Sequence, residues 1–212
     1  YYTPKFIYEL LDVGVRVKVG LKPFSIDGNS YDYGSIMIPV GNQQLSAEVL
    51  YDVIKTASSG LMLDIRSVNT GLTEGIDLGS NNFKTLKKPK VALLIGDGVR
   101  SYDAGEIWHL MDTRYKIPTT KIDVRQLSNV DLQKYTHIVL PSYSGSLLNI
   151  NKDKIDRWIK GGGSLVAYRN AIKWVNKNKL ATVDLKSFER EAKGIEFGQI
   201  ADYNGAQNIG GA

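Results

Sequence analysis

Five consecutive apolar residues, Val91-Ala92-Leu93-Leu94-Ile95, lead at once into Gly96-Asp97-Gly98 and then into apolar positions at helical spacing. This stretch constrains the fold more than any other in the chain. A strand without polar alternation belongs in a sheet covered on both faces, the setting of parallel strands in α/β proteins. The glycines mark a turn. Ala104, Ile107, Trp108, Met111 and Tyr115 then predict a helix, with Asp103 and Glu106 placed as a capping-box pair at its start. The rhythm repeats downstream. Ile122–Val124 reads as a short strand, and His137–Leu140 as another that stops at Pro141. Asn151 caps a helix that buries Ile155, Trp158 and Ile159. Gly161-Gly162-Gly163 ends that helix, and Ser164–Tyr168 is a further strand. Alternating strands and helices joined by right-handed crossovers give a doubly wound, mostly parallel, flavodoxin-like sheet over residues 90–180. A helix is expected over 182–193, and the tail from 194 has no assignment.

The upstream half follows the same grammar less cleanly. Thr3 is placed to cap a helix with Pro4 in its first turn and Ile7, Leu10 and Leu11 on one face, which Gly14 stops. Val15–Val19 alternates as a half-buried strand. Residues 22–34 read as a loop or hairpin, and Ser35–Val40 as a second strand. Ser46 caps a helix with Val49, Leu50, Val53, Ile54 and Ala57 inward, and Leu61–Val68 is a third strand. Gly71, Gly75 and Gly79 with polar neighbours, then Lys84, Lys87, Lys88 and Lys90 around Pro89, mark a connector. The expected division is therefore a small α/β subdomain over 1–85 and a larger α/β domain over 86–212.

Composition removes several kinds of chemistry. None of the 212 residues is cysteine, so disulfides, thiolate metal sites and cysteine nucleophiles are excluded. No apolar run approaches the roughly 18 residues that span a bilayer. The net charge of +5 comes from scattered lysines rather than a basic stripe with interleaved aromatics, so no nucleic-acid footprint is expected. The chain begins at Tyr1 without methionine and stops at Gly210-Gly211-Ala212, which reads as a piece cut from a longer protein.

In a doubly wound sheet, ligands bind outside the carboxyl ends of the strands. Those ends carry the candidate crevice residues Asp97, Gly98, Ser142, Tyr143, Ser144, Arg169 and Asn170. Gly96-Asp97-Gly98 is either a tight turn or an anion cradle at a helix start. Ser101 stands where a dinucleotide fingerprint needs its third glycine, and the Asp97 charge opposes an anion. Ser142 and Ser144 would need a nearby base to act as nucleophiles. Arg169, at the exit of a central strand, would either clamp a carboxylate or join a structural network with Asp97 or Glu106.

The run Lys88-Pro89-Lys90 through Gly98, continued by Ser101-Tyr102-Asp103-Ala104-Gly105-Glu106-Ile107-Trp108-His109-Leu110, resembles the C-terminal region of large bacterial zinc carboxypeptidase-like proteins. So do Asn69-Thr70-Gly71-Leu72, Gly75-Ile76-Asp77-Leu78-Gly79 and Gly161-Gly162-Gly163-Ser164-Leu165-Val166-Ala167. The resemblance extends over most of the chain and rests on motif order and spacing. It implies a class I glutamine-amidotransferase-like fold for the second half, a peptidase domain N-terminal to Tyr1 in the same parent chain, and an exported bacterial protein, periplasmic or extracellular. Zinc is then expected only in that peptidase domain, with no cofactor or metal site in this chain. The turn that holds the nucleophile in that fold corresponds to Tyr168-Arg169-Asn170-Ala171, which has neither thiol nor serine. His109-Leu110-Met111-Asp112 comes near the family's His-x-x-Glu pair, but His109 falls in mid-helix and His137 at the entry end of its strand. Neither is assigned as a ligand. The expected function is a non-catalytic accessory or interaction region that partners the peptidase domain or forms a homodimer. The alternative is a small-ligand or peptide-end binding domain using the strand-end crevice.

Overall fold

The computed structural model describes residues 1–145 and 150–185. Tyr1–Leu180 form one compact unit; of the second, Ala181–Ala212, residues 181–185 are described and carry no helix or strand. The part of the expected 182–193 helix from residue 186 onward lies outside the described residues.

The second half of the large unit is an α/β layer structure. Strands β6 (Val91–Ile95), β7 (Thr119–Asp123), β8 (His137–Leu140) and β9 (Ser164–Ala167) form an all-parallel sheet in the order β7-β6-β8-β9. Helix α3 (Ser101–His109) packs on one face, where Ala104 and Ile107 meet Leu93 and Val139. Helices α4 (Lys152–Lys160) and α5 (Ala171–Lys177) cover the other, where Ile155, Trp158 and Trp174 meet Leu94, Ile138 and Leu140. Leu93 and Leu94 point to opposite faces and both are fully buried, which is why β6 is written without a polar residue. The strand–helix rhythm predicts this all-parallel sheet flanked by helices, which is consistent with a flavodoxin-like fold. β7 begins three residues earlier than Ile122 because Thr119, Thr120 and Lys121 lie on an edge, where polar side chains are tolerated.

Upstream, β1 (Lys18–Gly20) lies between the two-residue β4 (Ile36–Met37) and β5 (Phe83–Thr85) in an antiparallel sheet. β2 (Phe24–Ile26) and β3 (Asn29–Tyr31) form a hairpin over Asp27-Gly28, both in the left-handed conformation that a two-residue hairpin turn requires. Helix α2 (Ala47–Ser58) is capped by Ser46, whose hydroxyl accepts from the Val49 amide at 3.3 Å. Leu50 is its buried anchor, while Val49 is exposed.

Several sequence expectations need correction. Leu61–Val68 is not a strand. Leu61 and Leu63 pack on the core of Phe6, Leu10 and Leu50, but Met62 is left-handed and 100% exposed, so apolar alternation here occurs without ladder pairing. Helix α1 (Thr3–Asp12) starts after Tyr2 with no side-chain cap, so Thr3 is inside the helix. Asp103 and Glu106 form no capping box, because α3 begins two residues before Asp103, after Arg100. The Val15–Val19 strand is assigned only from Lys18, although its alternation is real: Val15 and Val17 are buried and Arg16 is exposed. At Arg16 the ladder is replaced by a side chain. Gln43 accepts from the Arg16 amide at 2.8 Å and donates to its carbonyl at 2.9 Å.

Helix α1 serves both halves. Phe6 and Leu10 enter the upstream core, and Tyr8 enters the layer between β6 and α3. Its end is closed by amides of Gly14 and Val15 donating to Leu11 and Leu10. Lys88 is not simply a solvated connector lysine, since it pairs with Asp12 and lies 5.4 Å from the centre of the Tyr8 ring.

Two glycines make a paired test of this packing. A Cβ on Gly163 would overlap the Trp158 indole, which is buried and donates to the Tyr135 carbonyl at 3.2 Å. Gly105, inside α3, has open space around its Cβ position. Gly163→Ala is expected to destabilise by about 1–3 kcal/mol through overpacking, and Gly105→Ala to stabilise by about 0.5–1 kcal/mol through helix propensity, both read from urea midpoints.

Candidate functional site

The order β7-β6-β8-β9 places the topological switch point between the carboxyl ends of β6 and β8, where a doubly wound sheet opens its crevice. In this chain the two loops leaving those strands are hydrogen-bonded to each other. Val99 and Tyr143 form an antiparallel bridge, the Arg100 amide donates to the Ser142 carbonyl at 2.9 Å, and the Ser144 amide donates to the Gly98 carbonyl at 2.8 Å. The approach is close enough to require glycine on both sides. A Cβ on Gly98 would overlap Gly145, and one on Gly145 would lie 2.7 Å from the Tyr143 hydroxyl oxygen. Ser142 is 5% exposed and Tyr143 3% exposed. The Tyr143 ring meets Trp174 of α5 edge-on at 6.3 Å, and burial raises its hydroxyl pKa. Gly98, Ser142, Tyr143 and Ser144 are therefore brought together, as a closed seam rather than an open cleft.

Asp97 leaves this seam. Its carboxylate lies 3.8 Å from the Arg125 guanidinium, which also binds Asp123 at 2.8 Å. Asp123 ends β7 and caps the following 3-10 turn by accepting from the Arg125 amide. Sequence reading passed over it, although a glycine opposite was the available trace: a Cβ on Gly96 would stand 2.9 Å from the Asp123 carboxyl carbon. The Arg125 hydrogen bonds hold the Asp123 carboxyl pKa down at about 2.

Arg169 stands in the tight turn from β9 into α5. It is left-handed, with φ of 55°, a conformation costing an L-residue roughly 1 kcal/mol. Its guanidinium donates at 3.0 Å to Asp103, on the first turn of α3. The partner is thus neither Asp97 nor Glu106. Asp103 is 3% exposed, and its second carboxylate oxygen has no hydrogen-bond partner. The neighbouring Tyr168 donates to the Asp103 backbone carbonyl at 3.4 Å, and desolvation followed by the Asp103 charge pushes its hydroxyl up to about 12. Asn170 is exposed at the start of α5 and makes no side-chain cap.

The two histidines stay apart in role. His109 ends α3 and faces Thr113 at 3.5 Å, where the helix widens into a π turn over Leu110–Tyr115; His137 opens β8 beside the Thr136 hydroxyl at 2.8 Å. Among the described residues, no three His, Asp or Glu side chains are grouped to hold a metal ion.

Two measurements check this electrostatic account. The depressed Asp123 pKa means its contribution to stability is complete above the ordinary value of 3.8 and disappears as pH falls through about 2. Arg125→Ala should raise the carboxyl pKa from about 2 toward its ordinary range in a carbon-13 NMR titration, without reaching it, because the amide at position 125 still donates to the carboxylate. The stability difference between wild type and variant should vanish at the acid end. Separately, Arg169→Ala should cost about 1–3 kcal/mol by leaving Asp103 buried without its cation. A double-mutant cycle with Asp103→Ala should return a coupling close to that cost, because Arg169→Ala has no carboxylate to strand once Asp103 is gone.

Compared with known proteins, the chain matches no family model, no curated protein and no solved structure.

Proposed function

We propose that this chain is a non-catalytic accessory region of an exported zinc carboxypeptidase-like protein. In this reading the second half has a class I glutamine-amidotransferase-like fold and the peptidase domain lies elsewhere in the parent. The observation carrying the reading is the Arg169–Asp103 lock. The strand-to-helix elbow keeps the left-handed residue that would display a nucleophile, but the residue is an arginine tied to a buried carboxylate. The closed seam between the β6 and β8 loops adds support, since it occupies the place where such a fold admits substrate. The module's role would be docking on the peptidase domain, with pairing of two copies as the other mode of association. The alternative, a ligand held in the crevice around Asp97, Ser142 and Arg169, finds less support because Ser142 and Tyr143 are buried in the seam.

The chain alone, assayed on glutamine, on p-nitrophenyl esters and on peptides with free C-termini, with and without zinc, should show no turnover above buffer. Chelator-sensitive peptide hydrolysis by the isolated chain would defeat the accessory reading. So would ester hydrolysis lost in Ser142→Ala or Ser144→Ala.

A further inference from the structure

A second concavity, adjoining the closed seam at Val99, lies on the α3 side of the sheet. It is a groove of about 350 Å3 between α3 and the edge strand β7. Its floor is apolar, made by Leu93 and Ile95 of β6 together with Val99 and Ala104. Trp108 forms one wall. Helical spacing assigns Trp108 to the core, yet it is 44% exposed and borders the groove. Lys121 of β7 reaches over that face, with its ammonium 3.9 Å from the ring centre.

The charge around the groove is unequal. The two carboxylates at the adjoining ends of β6 and β7, Asp97 and Asp123, are both engaged by Arg125. Lys121 has no carboxylate within ion-pair distance among the described residues and is held by the Trp108 ring alone. An apolar floor, an aromatic wall and one uncommitted cation at the mouth make the usual composition of a small-ligand site, in which few polar groups fix orientation. A single flexible ammonium suits a carboxylate. A phosphate site would draw on an arginine fork, and no arginine lines the groove. Gly105 also borders the groove, and no neighbouring atom approaches its Cβ position. A side chain there would enter the open space.

We propose that the groove between α3 and β7 binds a small hydrophobic carboxylate, its apolar body on the floor of Leu93, Ile95 and Ala104 beside Trp108 and its carboxylate on Lys121. The proposal is independent of the accessory reading, since a non-catalytic module and an enzyme could each carry such a site.

The test is an NMR titration of the whole chain with 3-phenylpropionate, its neutral amide and the corresponding amine, following the Trp108 indole signal assigned by its loss in Trp108→Phe. The acid is expected to bind with Kd on the order of 1 mM, a value set by its small size, and the amide and amine at least about tenfold more weakly. Lys121→Met should erase the preference for acid over amide, and Lys121→Arg should keep it. Gly105→Leu should abolish binding while the amide spectrum stays folded. Glycyl-glycyl-phenylalanine with a free C-terminus separates the sources: tighter binding than phenylpropionate identifies a peptide end, and weaker binding a free acid. Equal affinity for acid and amide would overturn the proposal. So would shifts centred away from Trp108, acid affinity unchanged in Lys121→Met or Gly105→Leu, or no shift up to about 10 mM ligand.

Discussion

The structure depends on the double-sided burial of β6. Its backbone is paired to β7 on one side and β8 on the other, and its side chains alternate between two helical layers. A strand so placed leaves no room for polar alternation, and burying one leucine side chain is worth about 1.5–3 kcal/mol. Leu93 and Leu94 therefore anchor opposite layers within two residues. The remaining arrangement follows: α3 must return on one face, α4 and α5 on the other, and the loops at the carboxyl end of β6 become neighbours of those leaving β8.

That neighbourhood gives the strand-end region its character. In an open doubly wound sheet the divergence of the first crossovers leaves a cleft. Here glycines at 98 and 145 let two backbones meet, and the hydrogen bonds between them satisfy polar groups that a ligand would otherwise satisfy. Tyr143 fills the space beneath and extends the aromatic packing to Trp174. On the same end, Asp103 and Arg169 tie α3 to the β9–α5 elbow, a contact between elements 66 residues apart. The strand ends are thus cross-linked twice, by backbone pairing and by an ion pair.

The parallel sheet was legible in the sequence because its signals are physical necessities: a strand buried on both faces, Asn151 at a helix start, and three glycines after Lys160. Ser46 was legible for the same reason, as an extended residue with a hydroxyl just before an apolar helical stripe. The failures have an equally specific origin. Leu61–Val68 shows that alternation reports which side chains face a core, while a strand also needs a partner for its backbone. Arg16 shows the converse, a strand-like residue paired by a glutamine side chain that no periodicity reveals. At the strand ends, the candidate residues were found by position in the fold, but their pairings were not. Whether Arg169 meets Asp97, Glu106 or Asp103 is decided by where α3 begins, a difference of two residues at a helix end that propensity does not resolve.

The division of α1 between two cores has a consequence for the order in which the molecule is assembled. The helix lies at the start of the chain, and Phe6 and Leu10 meet partners such as Leu50 soon after it. Tyr8, however, belongs with Leu93 and Val139, which lie far along the polypeptide. A chain made from its amino end would hold this helix only half-docked until Val139 had been synthesised, with the loop-closure entropy of those distant contacts still to be met. Helix α1 is therefore made before most of its partners and is among the last of these elements to be locked in place.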